Sequence, residues 1–314
     1  MNENMEMRQI LAATLDSLME KNEKIVVIDA DLAKANGTLA LRKKYPERAF
    51  DVGIAEQNMA SAAAGMAAYG YIPFIGSFTA FATRRICDQI AISIAYAKRN
   101  VKIIGSDPGI TAELNGGTHM SMEDIGVLRS IPGMVIFEPT DGMQLAKALP
   151  KIVDYNGAVY IRLFRKPAPR VFNEDYEFDL FKAVTLKEGN DISLFASGIM
   201  VDECLKAGEL LKAQGIKADI INIHTIKPID KDTVIASAKK TGAVVTCENH
   251  NIIGGLKSAV AEVLAEEYPV PIKSIGVRDH FGEVAKVDYL KNKYGMTAED
   301  IAAAATEAIK MKKK

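Results

Sequence analysis

The sequence predicts an α/β protein of two domains, each a mainly parallel sheet flanked by helices. Short β-branched runs alternate with helical patterns from end to end, the signature of strands covered by crossover helices. That alternation lapses once, over residues 167–189, and then restarts. The chain's 314 residues also exceed one ordinary domain of roughly 100–150 residues and suit two.

In the first part, residues 1–166, the stretches IVVID (25–29), YIPFIGS (71–77), VKIIGS (101–106), MVIFEP (134–139) and AVYIRLF (158–164) read as buried strands. Between them lie helical stretches such as 56–66, rich in alanine with small residues spaced for close packing. GSFTAFATRRICDQIAISIAYAKRN reads as a strand end followed by a helix. Periodicity is lost after Lys166, where KPAPR opens a run of acidic and aromatic residues, so 167–189 reads as a linker. The last part, 190–314, restarts with DISLFAS, a helix near 200–214, ADIINIH, a helix near 231–240, AVVTCEN, a helix near 256–267, and PIKSIGV. Four strands with intervening helices make a second, smaller α/β domain. No repeat relates the two halves.

Composition narrows the function classes. With 48% hydrophobic residues, 25% charged residues and a formal net charge of -1, the chain reads as a soluble globular protein with no nucleic-acid partner. Cys87, Cys204 and Cys247 are widely spaced and form no CxxC pair, which fits a reducing compartment and excludes a zinc site of clustered thiols. MNENMEMRQ at the start lacks a signal-peptide core, and no run of about 18 apolar residues occurs, so no membrane role and a cytoplasmic location are expected. The closing KMKKK reads as solvated charge favouring the C-terminal dipole of the helix it ends.

The most informative segment is DVGIAEQNMASAAAGMAAYG, residues 51–70. By residue type alone, Glu56 in a first helical turn would compensate the helix dipole. The segment closely resembles, however, the motif of thiamine diphosphate enzymes in the transketolase family. The resemblance implies that Glu56 hydrogen-bonds N1′ of the cofactor's aminopyrimidine, where a carboxyl sharing that proton stabilises the imino tautomer used as base. Desolvation would help it share the proton, so Glu56 should be buried.

Further matches extend the resemblance over essentially the whole chain. Phe78 and Phe81, three residues apart, would ordinarily be core aromatics; the resemblance makes them the pocket for the aminopyrimidine. Arg84 stands where some members carry a third aromatic. Arg85, Asp88 and Gln89 also match and are assigned to structure or subunit contact. DADLAKANGT (29–38) follows a strand at its C-terminal end, where open α/β sheets place ligands. It reads either as an ordinary strand-to-helix turn or, through the resemblance, as a cofactor-lining loop with Asp31 and Leu32, the latter propping the cofactor's bent form.

In GSDPGITAELNGGTHMSMEDIGVLRSIPG, glycines allow close backbone approach, and His119 falls where many transketolases keep a histidine near the substrate carbonyl and hydroxyls. The resemblance implies that it donates a hydrogen bond or moves a proton. Arg8 and Arg165 match arginines that bind sugar phosphate in relatives, and a guanidinium fork suits phosphate or sulfonate. Arg162, on the opposite face of its strand by the period-2 rule, reads as structural.

Three departures bear on the donor. Asn115 replaces the usual aspartate that reads hydroxyl stereochemistry, Asp107 replaces a phosphate-contacting histidine, and Ala35 replaces a serine of several relatives. They admit a branched, deoxy or sulfonated ketose as readily as xylulose 5-phosphate. In the second domain, INIHTIKPID and TCENHNIIGGLKSAVAEVL resemble the transketolase C-terminal domain, which the resemblance places away from the chemistry.

The chain has no GDG motif, which in the family holds Mg²⁺ (or Ca²⁺) and the diphosphate through hard oxygen ligands. The resemblance therefore implies the C-terminal half of a split transketolase. An N-terminal subunit carrying GDG would supply the metal and diphosphate site, in an α2β2 heterotetramer acting on small sugar phosphates. Two rivals remain. One is the β subunit of a 2-oxoacid dehydrogenase, disfavoured by the glutamine after Glu56 and by the GGTH loop; the other is a catalytically silent scaffold or regulatory subunit.

Overall fold

A computed structural model describes residues 5–312. Most of MNENMEMRQ and KMKKK is thereby covered, but residues 1–4, 313 and 314 of those segments lie outside the described residues.

The strands in chain order are β1 Ile25–Asp29, β2 Ala49–Asp51, β3 Ile72–Phe78, β4 Lys102–Ser106, β5 Val135–Phe137, β6 Val159–Leu163, β7 Val184–Lys187, β8 Ile192–Ala196, β9 Ala218–Asn222, β10 Thr225–Lys227, β11 Val244–Asn251 and β12 Ile272–Val277. Seven form one sheet, in the order β10-β5-β6-β4-β3-β1-β2, and five form the other, β12-β11-β8-β9-β7. All pairings are parallel except those of the edge strands β10, with β5, and β7, with β9. The α/β reading of two mainly parallel sheets flanked by helices is what the chain adopts. β1, β4, β6, β8 and β9 are buried at every position, which is why they read as largely apolar runs without alternation; the few polar residues they carry, such as Lys102 and Arg162, are buried as well.

Three short strands carried no such signal. β2 and β10 have three residues each. β7 is a partly exposed edge strand inside the stretch read as a linker. β10 crosses from the second part of the chain to the edge of the first sheet, so the two halves are interleaved. The stretch after β3 also differs from one continuous helix. A short helix Thr79–Ala82 is followed by a 3-10 turn, Arg84–Ile86, and a π-helical segment, Gln89–Tyr96. Thr83 makes the break, with φ -128° and ψ -81°, while its hydroxyl bonds back to the Thr79 carbonyl at 2.7 Å.

Helix Glu56–Ala68 buries Glu56, Met59, Ala60, Ala63 and Ala64, a stripe at helical spacing. That stripe joins a hydrophobic cluster containing Ile28, Ile75 and Ile136 of the first sheet together with Phe195, Ile221 and Val260 of the second part. The opposite face of the first sheet packs Met7, Leu11 and Leu15 against Phe74 and Ile104. A third cluster covers the second sheet with Met200, Leu211 and Ile301.

A buried ionic group also ties the halves together. Arg162 of β6 donates to Asp124 at 2.7 and 3.1 Å, to Glu138 at 2.5 Å and to the Asn249 carbonyl of β11 at 2.7 Å. The structural reading of Arg162 is what this geometry shows. With its partners held so firmly, the loops at the carboxyl ends of the first sheet's strands rest on a fixed base.

Candidate functional site

The chain passes from β1 outward to β2 and then returns to β3 on the other side of β1, so strand order reverses between β1 and β3. Open α/β sheets bind ligands at such a point, beyond the carboxyl ends of the strands. The candidate residues of the first domain gather at this edge.

Glu56 is the first residue of its helix and is 4% exposed. Its carboxylate accepts a bond from Arg85 Nη1 at 2.7 Å. The Arg85 guanidinium also covers the Phe81 ring, 3.8 Å from its centroid. Phe81 and Phe78 meet edge to face with centroids 6.3 Å apart, and the His119 ring closes the triangle at 5.3 and 5.7 Å. Thr118 Oγ1 shares a hydrogen bond with His119 Nδ1 at 2.8 Å. The Arg165 guanidinium lies 5.0 Å from the Phe78 centroid. One unbroken line of contacts thus runs from Glu56 through Arg85, Phe81, His119 and Phe78 to Arg165.

At the far end, Arg165 is fixed by Asp107, the residue that follows β4. Asp107 accepts from the Arg165 backbone N–H at 3.1 Å and from Nε at 2.5 Å, and it also pairs with the outer guanidinium nitrogen. Burial pushes the Asp107 carboxyl above the usual carboxylate range, with the Arg165 bonds working against that rise. Arg8 enters from helix Met7–Lys21, its backbone N–H bonded to the Arg165 carbonyl at 3.3 Å. Its side chain donates to Glu6 at 2.6 Å and to the Ala35 carbonyl at 3.3 Å.

Asp31 and Leu32 sit at the carboxyl end of β1, Asp31 exposed with φ 58° and its N–H bonded to Asp51 at 2.9 Å. This loop is tied to β4 rather than to the aromatic rings. Buried Asp29 accepts from Asn36 at 2.8 Å and Thr38 at 2.6 Å, and Ser106 of β4 donates to Asn36 at 2.9 Å. Burial lifts the Asp29 carboxyl to about 6, against those two bonds.

Asn115 is exposed at the end of the 3-10 segment Gly109–Asn115, four residues before His119. The whole loop is clamped by the second part of the chain. Asn249 accepts from the Ile110 N–H and donates to the Pro108 carbonyl, both at 2.9 Å. Glu113, at φ 48° and ψ -116°, accepts from the Val287 N–H at 3.2 Å and pairs with Lys166. A Cβ on Gly117 would lie 2.6 Å from the Gly282 carbonyl oxygen, so only glycine permits that approach. The second part of the chain, expected to lie away from the chemistry, thus holds the loop that bears the candidates Asn115 and His119.

Sequence reasoning missed the partners. It assigned Arg85 to structure or subunit contact, where it pairs with Glu56, and it read Asp107 as a lost ligand, where it anchors Arg165. Glu248 accepts from the N–H groups of Leu256 and Lys257 at 2.6 and 3.0 Å, and burial pushes it to about 8. His250 beside it is driven down to about 4 by burial. Both belong to the packing around Arg162. Among the described residues no group of three or more His, Cys, Asp or Glu side chains could hold a metal ion. No helix there is long and apolar enough to cross a membrane.

Chemically, the line of contacts offers a buried carboxylate beside flat aromatic walls at one end and guanidinium groups at the other, with an imidazole between. A heterocycle could be met at its edge by the carboxylate and on its face by the rings, while a small anionic molecule reaches toward the arginines.

Residues 3–170 match the family described as transketolase, pyrimidine binding domain, and residues 181–301 match transketolase, C-terminal domain. The 6-deoxy-6-sulfo-D-fructose transketolase subunit SqwH of Clostridium sp. (strain MSTE9) is 56% identical over 95% of this chain and 94% of its own length. A putative transketolase C-terminal section of Methanocaldococcus jannaschii is 41% identical over 97% of this chain and 96% of that protein. A solved structure described as a split gene transketolase, inactive beta4 tetramer, superimposes with a TM-score of 0.92 at 43% identity, covering 98% of this chain and 100% of that one.

Proposed function

The chain belongs to the transketolase family, and we propose that it is the C-terminal subunit of a two-subunit transketolase that moves a two-carbon ketol unit from a modified ketose to an aldose phosphate. The observation that carries this reading is the contact line Glu56–Arg85–Phe81–His119–Phe78–Arg165 at the switch point of the first sheet.

Thiamine diphosphate is the cofactor of this family, and the donor set fits its aminopyrimidine: a buried carboxylate for a ring nitrogen and aromatic rings for the ring face. Glu56 would hold the pyrimidine edge, Phe78 and Phe81 its face, and Asp31 and Leu32 its flank. When bound, the cofactor supplies the carbon nucleophile and the electron sink. The chain's own residues do the rest. Glu56, held in place by Arg85, meets the edge of the pyrimidine at its ring nitrogen. His119, aimed by Thr118 and wedged between two rings, donates to the substrate oxygens or moves a proton there. Asn115 addresses the sugar hydroxyls, and Arg8 and Arg165 bind the distal anion.

The diphosphate and its Mg²⁺ (or Ca²⁺) fall to a partner N-terminal subunit carrying the GDG motif, in an α2β2 heterotetramer with active sites between chains. A cytoplasmic location suits three cysteines that form no disulfide. The SqwH relative is described by its action on a sulfonated ketose, and in this chain Ala35, Asp107 and Asn115 stand in place of residues tied to ordinary sugar phosphates; both favour a modified donor.

The test is Glu56→Ala in the complex assembled with its GDG-bearing partner, thiamine diphosphate and Mg²⁺. Two-carbon transfer should fall by about 10²–10⁴-fold. Size-exclusion chromatography should show assembly intact. Near-normal turnover would refute the role of Glu56.

A further inference from the structure

The charge balance at the distal end of the site carries one step more. Three cations lie there in consecutive contact. Arg8 and Arg165 are joined through their backbones, and Lys166 is the next residue. Each has its own carboxylate: Arg8 with Glu6, Arg165 with Asp107, and Lys166 with Glu113. The guanidinium edge of Arg165 formed by Nε and one terminal nitrogen is occupied by Asp107, and the Phe78 ring lies against the same group. Asp107 is itself buried and binds Arg165 through both its backbone N–H and its guanidinium, so it cannot be displaced cheaply by an incoming anion.

Resting on the transketolase reading above, we propose that this end of the site is a monoanion pocket that favours a sulfonate over a phosphate, with Asp107 as the main specificity-determining residue and Glu6 as its second. The two groups are both tetrahedral and both present oxygens to the arginines, so shape does not separate them. Charge does. A sulfonate carries one negative charge at neutral pH, whereas a phosphate ester carries close to two, its second pKa being about 6. These three cations still donate hydrogen bonds, yet their own carboxylates already offset most of their charge, leaving little from the three pairs to balance a second negative charge. The carboxylate of Asp107, inside the same guanidinium fork, repels that extra charge directly.

The experiment compares fructose 6-phosphate with its 6-deoxy-6-sulfo analogue as donors, in the assembled, cofactor-loaded complex. Asp107→Asn removes the charge but keeps the shape and an acceptor for the Arg165 N–H. It should raise kcat/KM for the phosphate donor relative to the sulfonate donor about tenfold, the order expected when one like-charge contact is removed. The gain should fall in KM and leave kcat nearly unchanged, because the distal group is remote from the reacting carbons. Glu6→Gln, in a partly exposed pair, should shift the ratio in the same direction by less, and it reports even if Asp107→Asn disturbs its loop. If both variants transfer the ketol unit with an unchanged donor ratio, the charge argument is overturned while the transketolase reading stands. If the wild-type complex transfers from neither donor nor from any other ketose, the reading fails and the proposal with it.

Discussion

Replacing Arg162 by methionine, of similar length and no charge, removes four hydrogen bonds, two to Asp124, one to Glu138 and one to the Asn249 carbonyl. All three side chains of this ion cluster are at most 2% exposed, so water cannot replace the lost partner. Asp124 keeps the Tyr160 hydroxyl at 2.8 Å, with the His250 ring 3.9 Å away, and Glu138 keeps the Ser197 hydroxyl at 2.6 Å. Breaking a buried pair by removing one partner costs about 3–5 kcal/mol, and here one cation serves two carboxylates. Part of the penalty is escaped if a carboxyl takes up a proton at about 1.4 kcal/mol per pH unit, which keeps the expected loss near 4 kcal/mol. With a urea m-value of about 3 kcal/mol/M, the midpoint should fall by about 1.3 M. The chain has no tryptophan, so unfolding is followed by far-UV circular dichroism. The deficit should shrink toward pH 5 as the orphaned carboxyls protonate. A midpoint within about 0.2 M of wild type at neutral pH would refute this account of what joins the two halves.

Three other variants probe separate parts of the account. Glu248 has a folded pKa of about 8 against 4.5 for the free group, because burial disfavours its charge. Its contribution to stability is therefore fully present below about pH 4.5 and is lost as the pH rises through about 8. Glu248→Gln should flatten that slope, so the melting temperature of the variant relative to wild type should rise from pH 5 to pH 8; a difference independent of pH would contradict it. Gly117→Ala pushes a methyl group to 2.6 Å from a backbone oxygen that cannot rotate away. It should cut ketol transfer tenfold or more while overpacking costs about 1–3 kcal/mol in urea unfolding, and full activity would show that the clamp on the His119 loop is dispensable. Arg85→Met leaves the buried Glu56 carboxylate without its cation, so urea unfolding should show a loss of about 1–3 kcal/mol. Turnover should also fall, and an unchanged rate would mean that Arg85 does not hold Glu56 for the reaction.

The strands that were legible in the sequence are those whose environment leaves a local mark. β4 and β6, buried at every position, appear as largely apolar stretches without alternation, and helix Glu56–Ala68 shows its stripe of small residues. β2, β7 and β10 owe their existence to a neighbouring strand's free edge rather than to their own three or four residues, so no local pattern betrays them. The site divides in the same way. Glu56, Phe78, Phe81 and His119 were singled out as candidates because each lies in a recognisable stretch. Their partners were not, since Arg85 lies 29 residues from Glu56, Arg165 lies 58 from Asp107, and Asn249 lies 139 from Ile110. Pairings of that kind are set by topology and become visible only once the sheets are ordered.

The most direct test of the central claim is a reconstitution. This chain and a GDG-bearing N-terminal subunit are purified separately, and two-carbon transfer from a sulfonated or phosphorylated ketose to an aldose phosphate is measured for each alone and for the mixture, with thiamine diphosphate and Mg²⁺. The account predicts that neither chain transfers the unit alone and that the mixture does, with turnover following assembly. Transfer by this chain alone, or an assembled and cofactor-loaded mixture inert toward every ketose, would contradict it.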